Sequence, residues 1–413
     1  MNSELILSTI IIIISCDYVF GLILSYLNFG SMDNPIPKEL INIYNDSDYK
    51  KSQDYNKHNF TLSLFHSSFS FLVLLVVLKF GLLGELDKFL RSYTLENELS
   101  LSLLFFGSIF LVNDFLSIPF QLYSNFVIEE KYGFNQMTFK VFLIDKLKSF
   151  FLVFVLGGIL ISSLLILILF FSTNFWIYFW LFISLFILFI NAFYTSLILP
   201  VFNKLSPLKD GSLKDKINSY SRSVGFPLSN IFVIDGSKRS SKANAFFSGL
   251  GKKKKIVLYD TLIKNHSDEE LVSVLAHEVG HYKKNHITSN IILSILLTGF
   301  MLYLFSLILF NSEVSFALGG TTSFRHFEIF AFSILYSPIS SVLNVFMNIK
   351  SRKNEYEADN FARKTFDKKH LISALKKLSK DNLVNLTPNP TYVFINFSHP
   401  TLYQRIKAMN ENK

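Results

Sequence analysis

Residues 277–281 read His277-Glu278-Val279-Gly280-His281, and a helix through them sets both imidazoles on one face, four residues apart. Two imidazoles so placed can share one Zn²⁺, with Glu278 beside them able to take the proton of a water molecule that attacks a peptide carbonyl. The competing explanation is a solvated helix face that merely carries these side chains. Leu275, Ala276 and Val279 argue against it. They bury the helix in part, and an unpartnered glutamate is costly there.

A catalytic zinc takes three protein ligands and keeps one position open, so a third ligand has to come from elsewhere. The segment SRKNEYEADNFARK offers Glu355 and Asp359, four apart on one helix face, while Glu357 points roughly the opposite way. Glu355 is the expected third ligand, with a solvated helix glutamate as the alternative. Asp359 is expected to accept a hydrogen bond from a ligating imidazole and so fix its tautomer. His286 and His266, near helix ends, are weaker ligand candidates. Charge developing on the carbonyl oxygen calls for further donors. His399 and Arg405, in FSHPTLYQRIK, are the ones the sequence offers, although a polar carboxy-terminal helix with one capping histidine explains them equally well.

The elements that must position these residues are legible in part. Ser267 followed by Glu270 fits a capping box, and Asp268 and Glu269 complement the positive end of the helix that carries His277. Upstream, SLKDKINSYSRSV reads as a helix, IFVID, NAFFSG and KKIVLYD as strands, and residues 236–243 as a Ser/Lys-rich turn.

Composition sets the surroundings. The 413 residues are 50% hydrophobic and 16% aromatic, with 46 phenylalanines, and only 17% are charged, below the roughly 25% of soluble domains. Seven candidate spans follow, at about 4–28, 60–83, 100–119, 150–171, 175–200, 287–311 and 326–348. The first opens with Glu4 and no basic residue, so it reads as a retained helix rather than a cleaved signal peptide. Lys-rich loops at 29–59, 120–149, 201–286 and 349–413 alternate with Lys-poor ones, which puts the amino terminus outside and both long polar segments in the cytosol. The expected organisation is a membrane domain over 1–200 with five helices, a cytosolic α+β segment over 201–286, two further membrane helices over 287–348, and a cytosolic helical segment over 349–413. The fold class is thus mainly α, with a small α+β metalloprotease domain on one side. The net charge of +9 lies in loops without a basic stripe, so no nucleic-acid partner is expected. The single cysteine, Cys16, can form neither an intrachain disulfide nor a cysteine-rich metal site.

Beyond HExxH, the chain carries PFQLYSNFVIEEKYGFN (119–135), FNKLSPLKDGSLKDKI (202–217), VIDGSKRSSKANAFFSGLGKKKKIVLYDTLI (233–263), EYEADNFA (355–362) and SHPTLYQRI (398–406). In these segments it resembles the type I CaaX prenyl endopeptidases, integral-membrane zinc metalloproteases of the a-factor and prelamin A processing type. The resemblance implies a seven-helix membrane barrel around a large water-filled chamber, with one zinc at its cytosolic end. It implies His277, His281 and Glu355 as ligands, Glu278 as base and Asp359 behind a ligand, with His399 and Arg405 as substrate and transition-state contacts. Asn244, with Ala245 and Phe246, resembles the edge strand along which substrate backbone pairs. Glu357 stands where glutamine is common, and Lys242 where histidine is common.

The expected partners are membrane lipid and peptide or protein substrates, prenylated at the carboxy terminus in the family's manner. Enrichment in Phe, Ile, Lys and Asn suggests an AT-rich bacterial source and its inner membrane, the alternative being the endoplasmic reticulum or inner nuclear membrane of a eukaryote. Two other functions compete. One is a stress-type membrane zinc protease with fewer spans, acting in membrane-protein quality control. The other is a transporter or channel, against which the scarcity of ionisable residues in the spans argues.

Overall fold

The computed structural model describes residues 2–41, 43–94, 97–226, 228–248 and 254–411. Six helical stretches among them are long and apolar enough to cross a bilayer: Ser3–Gly30, Asp46–Lys79, Glu98–Glu129, Phe139–Phe202, His286–Ile308 and Arg325–Thr365. The 64-residue stretch is a hairpin. Its helices Phe139–Phe171 and Phe175–Phe193 are parted by a tight turn in which Ser172 takes a φ of +46°. They fold back on each other, so that Phe171 stacks on Tyr178 with ring centroids 3.8 Å apart, and Lys148 Nζ donates to the Val201 carbonyl over 2.7 Å. Large apolar side chains stand outward on these helices, Phe170 being 80% and Leu185 68% exposed, as lipid-facing surfaces require.

Several helices outrun the apolar spans read from hydropathy. Asp46–Lys79 starts in the polar segment, where the Asn45 side chain accepts from the Asp48 amide and caps it. Arg325–Thr365 runs 41 residues without a break, about 60 Å at the usual rise, through Pro338 and on to Glu355 and Asp359. One rigid rod therefore joins the membrane to the candidate third ligand.

The polar part is a four-stranded sheet with helices packed on it. Strands β1 (Leu205–Pro207), β2 (Leu228–Ile234), β3 (Ala245–Ser248) and β4 (Lys254–Tyr259) lie in the order β1-β2-β4-β3. β2 and β4 run parallel and the outer two pair antiparallel, with Phe246 opposite Val257. Three of these strands match the sequence expectation, and the short β1 is additional. Gly249, read as the end of NAFFSG, lies outside the described residues.

The helix Asp268–Lys283 is the centre of this part. Its capping box forms as expected, the Ser267 hydroxyl accepting from the Glu270 amide and the Glu270 carboxylate from the Ser267 amide. Despite burial, that carboxyl is held down at about 2, because Lys377 and Ser373 also donate to it. Leu271, Leu275, Ala276 and Val279 join Ile217, Ile256, Leu258, Ala362 and Leu371 in one core. Each large apolar side chain withdrawn from water there contributes about 2 kcal/mol. The packing pins the helix between the sheet and the Arg325–Thr365 rod, and so fixes where its histidines point.

Candidate active site

His277, His281 and Glu355 converge, each offering a ligand atom within 4.8 Å of the other two. The Nε2 atoms of the two histidines stand 3.1 Å apart, and Glu355 lies 3.4 Å from His277 Nε2 and 3.1 Å from His281 Nε2. Atoms in a tetrahedral zinc shell with bonds near 2.05 Å stand about 3.3 Å apart, which is the spacing seen. Glu355 is 4% exposed, and its Oε2 accepts no hydrogen bond although it is buried. Such an orphaned oxygen beside His277 Nε2, with the other carboxylate oxygen beside His281 Nε2, fits a bound cation, and a set of two nitrogens and one carboxylate suits zinc.

Tautomers follow from the neighbours. His277 Nδ1 donates to Asp359 Oδ1 over 2.8 Å, since a carboxylate can only accept, and this leaves its Nε2 lone pair free. Arg405, buried in its guanidinium, donates from Nε to Asp359 Oδ2 over 2.8 Å and from Nη2 to Oδ1 over 2.6 Å, and its Nη1 lies 3.5 Å from Glu355 Oε2. Arg405 thus backs the carboxylates from behind. His399 is on the open side, its side chain 64% exposed and its Nε2 3.5 Å from Glu355 Oε1. Glu278 is half-buried, one position along from His277. Burial pushes its carboxyl up, with both imidazoles and Arg405 pulling the other way.

The residues Asn244, Ala245 and Phe246 lie at the start of β3, the outer strand of the sheet, with Asn244 exposed. Asn244 accepts from the Tyr259 amide through its carbonyl and from the Ala245 amide through Oδ1. Just before it, Lys242 Nζ bonds Tyr55 and Glu129, so the strand is tied to the membrane helices. Two cavities open next to His399, one of about 340 Å³ reaching Arg405, the other of about 390 Å³ lined by Asp17, Ser341, Asn344, Asn348 and Ser398.

Two residues that sequence reasoning set aside belong to the cluster. His286 Nδ1 lies 3.0 Å from His281 Nδ1, and His286 Nε2 lies 3.1 Å from Glu357 Oε2. The spacing of HEVGHYKKNH carries a faint signal for the first, none for the second. His266 is not among the converging groups, its Nδ1 being bonded to the Leu262 carbonyl.

Gly280 sets how closely the two site helices approach. A Cβ there would sit 2.9 Å from both the Cα and the carbonyl oxygen of Ala358 and 3.1 Å from Phe361 Cβ. Backbone cannot give way cheaply, so Gly280→Ala is expected to cost about 2 kcal/mol and to pull Glu355 off the histidines. A thermal scan with metal analysis checks this. An unchanged midpoint and zinc content would refute it.

A histidine pair on one helix and a carboxylate on a rod that continues into the bilayer define a multi-pass membrane metallopeptidase. The profile of Peptidase family M48 matches residues 207–413, and a profile described as CAAX prenyl protease N-terminal, five membrane helices, matches residues 25–204. The chain therefore belongs to family M48, a zinc-dependent family, with the amino-terminal membrane region of its CAAX prenyl proteases. CAAX prenyl protease 1 of Saccharomyces cerevisiae is 33% identical over 419 residues, covering 95% of this chain and 92% of its own. The human CAAX prenyl protease 1 homolog is 32% identical, covering 92% and 89%. The crystal structure of S. mikatae Ste24p superposes with a TM-score of 0.92 at 32% identity, over 99% of each chain.

Proposed function

We propose that the chain hydrolyses peptide bonds near the carboxy terminus of prenylated CaaX-type substrates, on the cytosolic side of its membrane. The observation that carries this reading is the convergence of His277, His281 and Glu355, the last on a rod that continues into a helix long and apolar enough to cross the bilayer. The chain is similar almost end to end to proteins whose names state that activity. Those relatives are eukaryotic, which favours an endomembrane over a bacterial inner membrane.

In this reading His277, His281 and Glu355 hold one zinc, which supplies Lewis acidity for the scissile carbonyl and lowers the pKa of water toward ~7. Substrate backbone pairs along β3 from Asn244 to Phe246, so that its carbonyl meets the site in a fixed register. Glu278 takes the proton of the attacking water and hands it to the leaving amine. His399, exposed on the open side, donates to the carbonyl oxygen as negative charge develops there. Arg405 acts through Asp359 and Glu355, holding both carboxylates ionised and in place.

The hairpin at Ser172 brings the apolar helices to seven, the count of crossings we adopt. Asp17, Ser341, Asn344 and Asn348, on two of them, line a cavity closed by Asn396 and Ser398, and polar groups on such apolar helices need water or one another. This supports a water-filled chamber that opens beside His399.

The test uses purified protein in detergent, a farnesylated CaaX peptide and the same peptide without its lipid. Release of a carboxy-terminal fragment, abolished by a chelator and restored by zinc, is expected for the farnesylated peptide first. Equal cleavage of both peptides would shift the reading to general membrane-protein turnover, and cleavage of neither would end it.

A further inference from the structure

Asp359 secures one of the two histidines, and a separate pair of residues faces the other. His281 Nδ1 and His286 Nδ1 are 3.0 Å apart, so one of them carries a proton and the other a lone pair. Which is which is decided further out. The Glu357 carboxylate lies 3.1 Å from His286 Nε2 and can only accept, so the proton of neutral His286 is on Nε2 and its Nδ1 is bare. His281 then holds its proton on Nδ1, and its Nε2 lone pair faces His277 Nε2 and Glu355 Oε1, each at 3.1 Å.

We propose that His286 and Glu357 are positioning residues for the metal, a relay that fixes the tautomer and ring orientation of His281. The two ring planes of His281 and His286 stand at 72° with centroids 5.1 Å apart, an edge-on contact that blocks rotation of His281. His286 is 5% exposed, whereas the Glu357 side chain is 37% exposed, so the relay runs from the buried centre to solvent. It joins three elements: the helix Asp268–Lys283, the first residue of His286–Ile308 behind a left-handed turn at Asn285, and the Arg325–Thr365 rod. One stretch of that rod thereby supplies Glu355 to the site, Asp359 behind His277 and Glu357 behind His286.

The inference rests on the zinc-centre reading, and its test keeps the two apart by reading metal rather than cleavage. His286→Ala, Glu357→Ala and Glu357→Gln are purified with the unaltered protein and assayed for zinc left after a timed chelator challenge. Thermal midpoints of the metal-stripped forms are recorded beside them. Outer partners of metal-ligating histidines are worth about 10- to 100-fold in affinity, so His286→Ala should lose zinc about tenfold faster or more. Glu357→Ala should lose it several-fold faster at an unchanged stripped midpoint, and Glu357→Gln should recover most of the retention, because its amide oxygen accepts the same bond. A purely structural role would instead lower the stripped midpoints and leave zinc loss unchanged, which overturns the proposal. Equal loss from Glu357→Ala and Glu357→Gln would overturn the tautomer argument. Unaltered protein that binds no zinc would overturn the metal reading and this inference together.

Discussion

Glu278→Gln leaves zinc content unchanged and lowers kcat for peptide hydrolysis by about 10³-fold, the range general-base removal commands. The two expectations separate because Glu278 is not among the three residues whose ligand atoms converge. Glutamine keeps the shape of the half-buried side chain while removing the basic oxygen. The helix itself is secured elsewhere, by its capping box and by Leu271, Leu275 and Val279, so the substitution does not disturb the core. Metal analysis beside a single-turnover cleavage assay decides the matter. A variant within tenfold of the unaltered kcat would mean that another group takes the proton, and a variant stripped of zinc would mean that Glu278 is itself a ligand.

How much of this was readable in the sequence depends on how local each interaction is. His277 and His281 share a helix turn, as Glu355 and Asp359 do, so four-residue periodicity marked both pairs before any fold was known. Their meeting required only that the two polar segments lie on one side of the bilayer, which loop charge suggests. The His281–His286–Glu357 relay escaped because its first link crosses a left-handed turn at Asn285 and its second spans 71 residues. Periodicity even pointed the wrong way there, since Glu357 faces away from the ligand face of its own helix and reaches His286 around the side. Gly280 carried no signal in the sequence beyond its place between Val279 and His281. Only the contact with the Ala358 backbone explains why no side chain fits. Hydropathy marks apolar windows and stops where they end, so it broke the Arg325–Thr365 rod short of Glu355 and missed that an apolar, span-length stretch and the metal-site residues share one helix.

That continuity bears on the other large effect, that of Glu355→Ala. The alanine removes the only carboxylate within reach of both Nε2 atoms among the described residues, leaving two imidazole lone pairs 3.1 Å apart with no anion between them. Arg405 then stands beside His277 with one partner fewer, its positive charge now set against a divalent ion rather than neutralised by Glu355. Loss of one ligand in three together with this repulsion is expected to weaken zinc binding more than loss of any outer partner, which is worth about 10- to 100-fold. Cleavage should fall to background without added metal. Asp359→Asn provides the scale, because it keeps all three ligands and disturbs only the tautomer of His277 and the grip of Arg405. Competition with a zinc-sensitive dye orders the two variants. If Glu355→Ala held zinc as tightly as Asp359→Asn, the third ligand would have to come from another acid, and the rod joining bilayer to metal would lose its part in the chemistry.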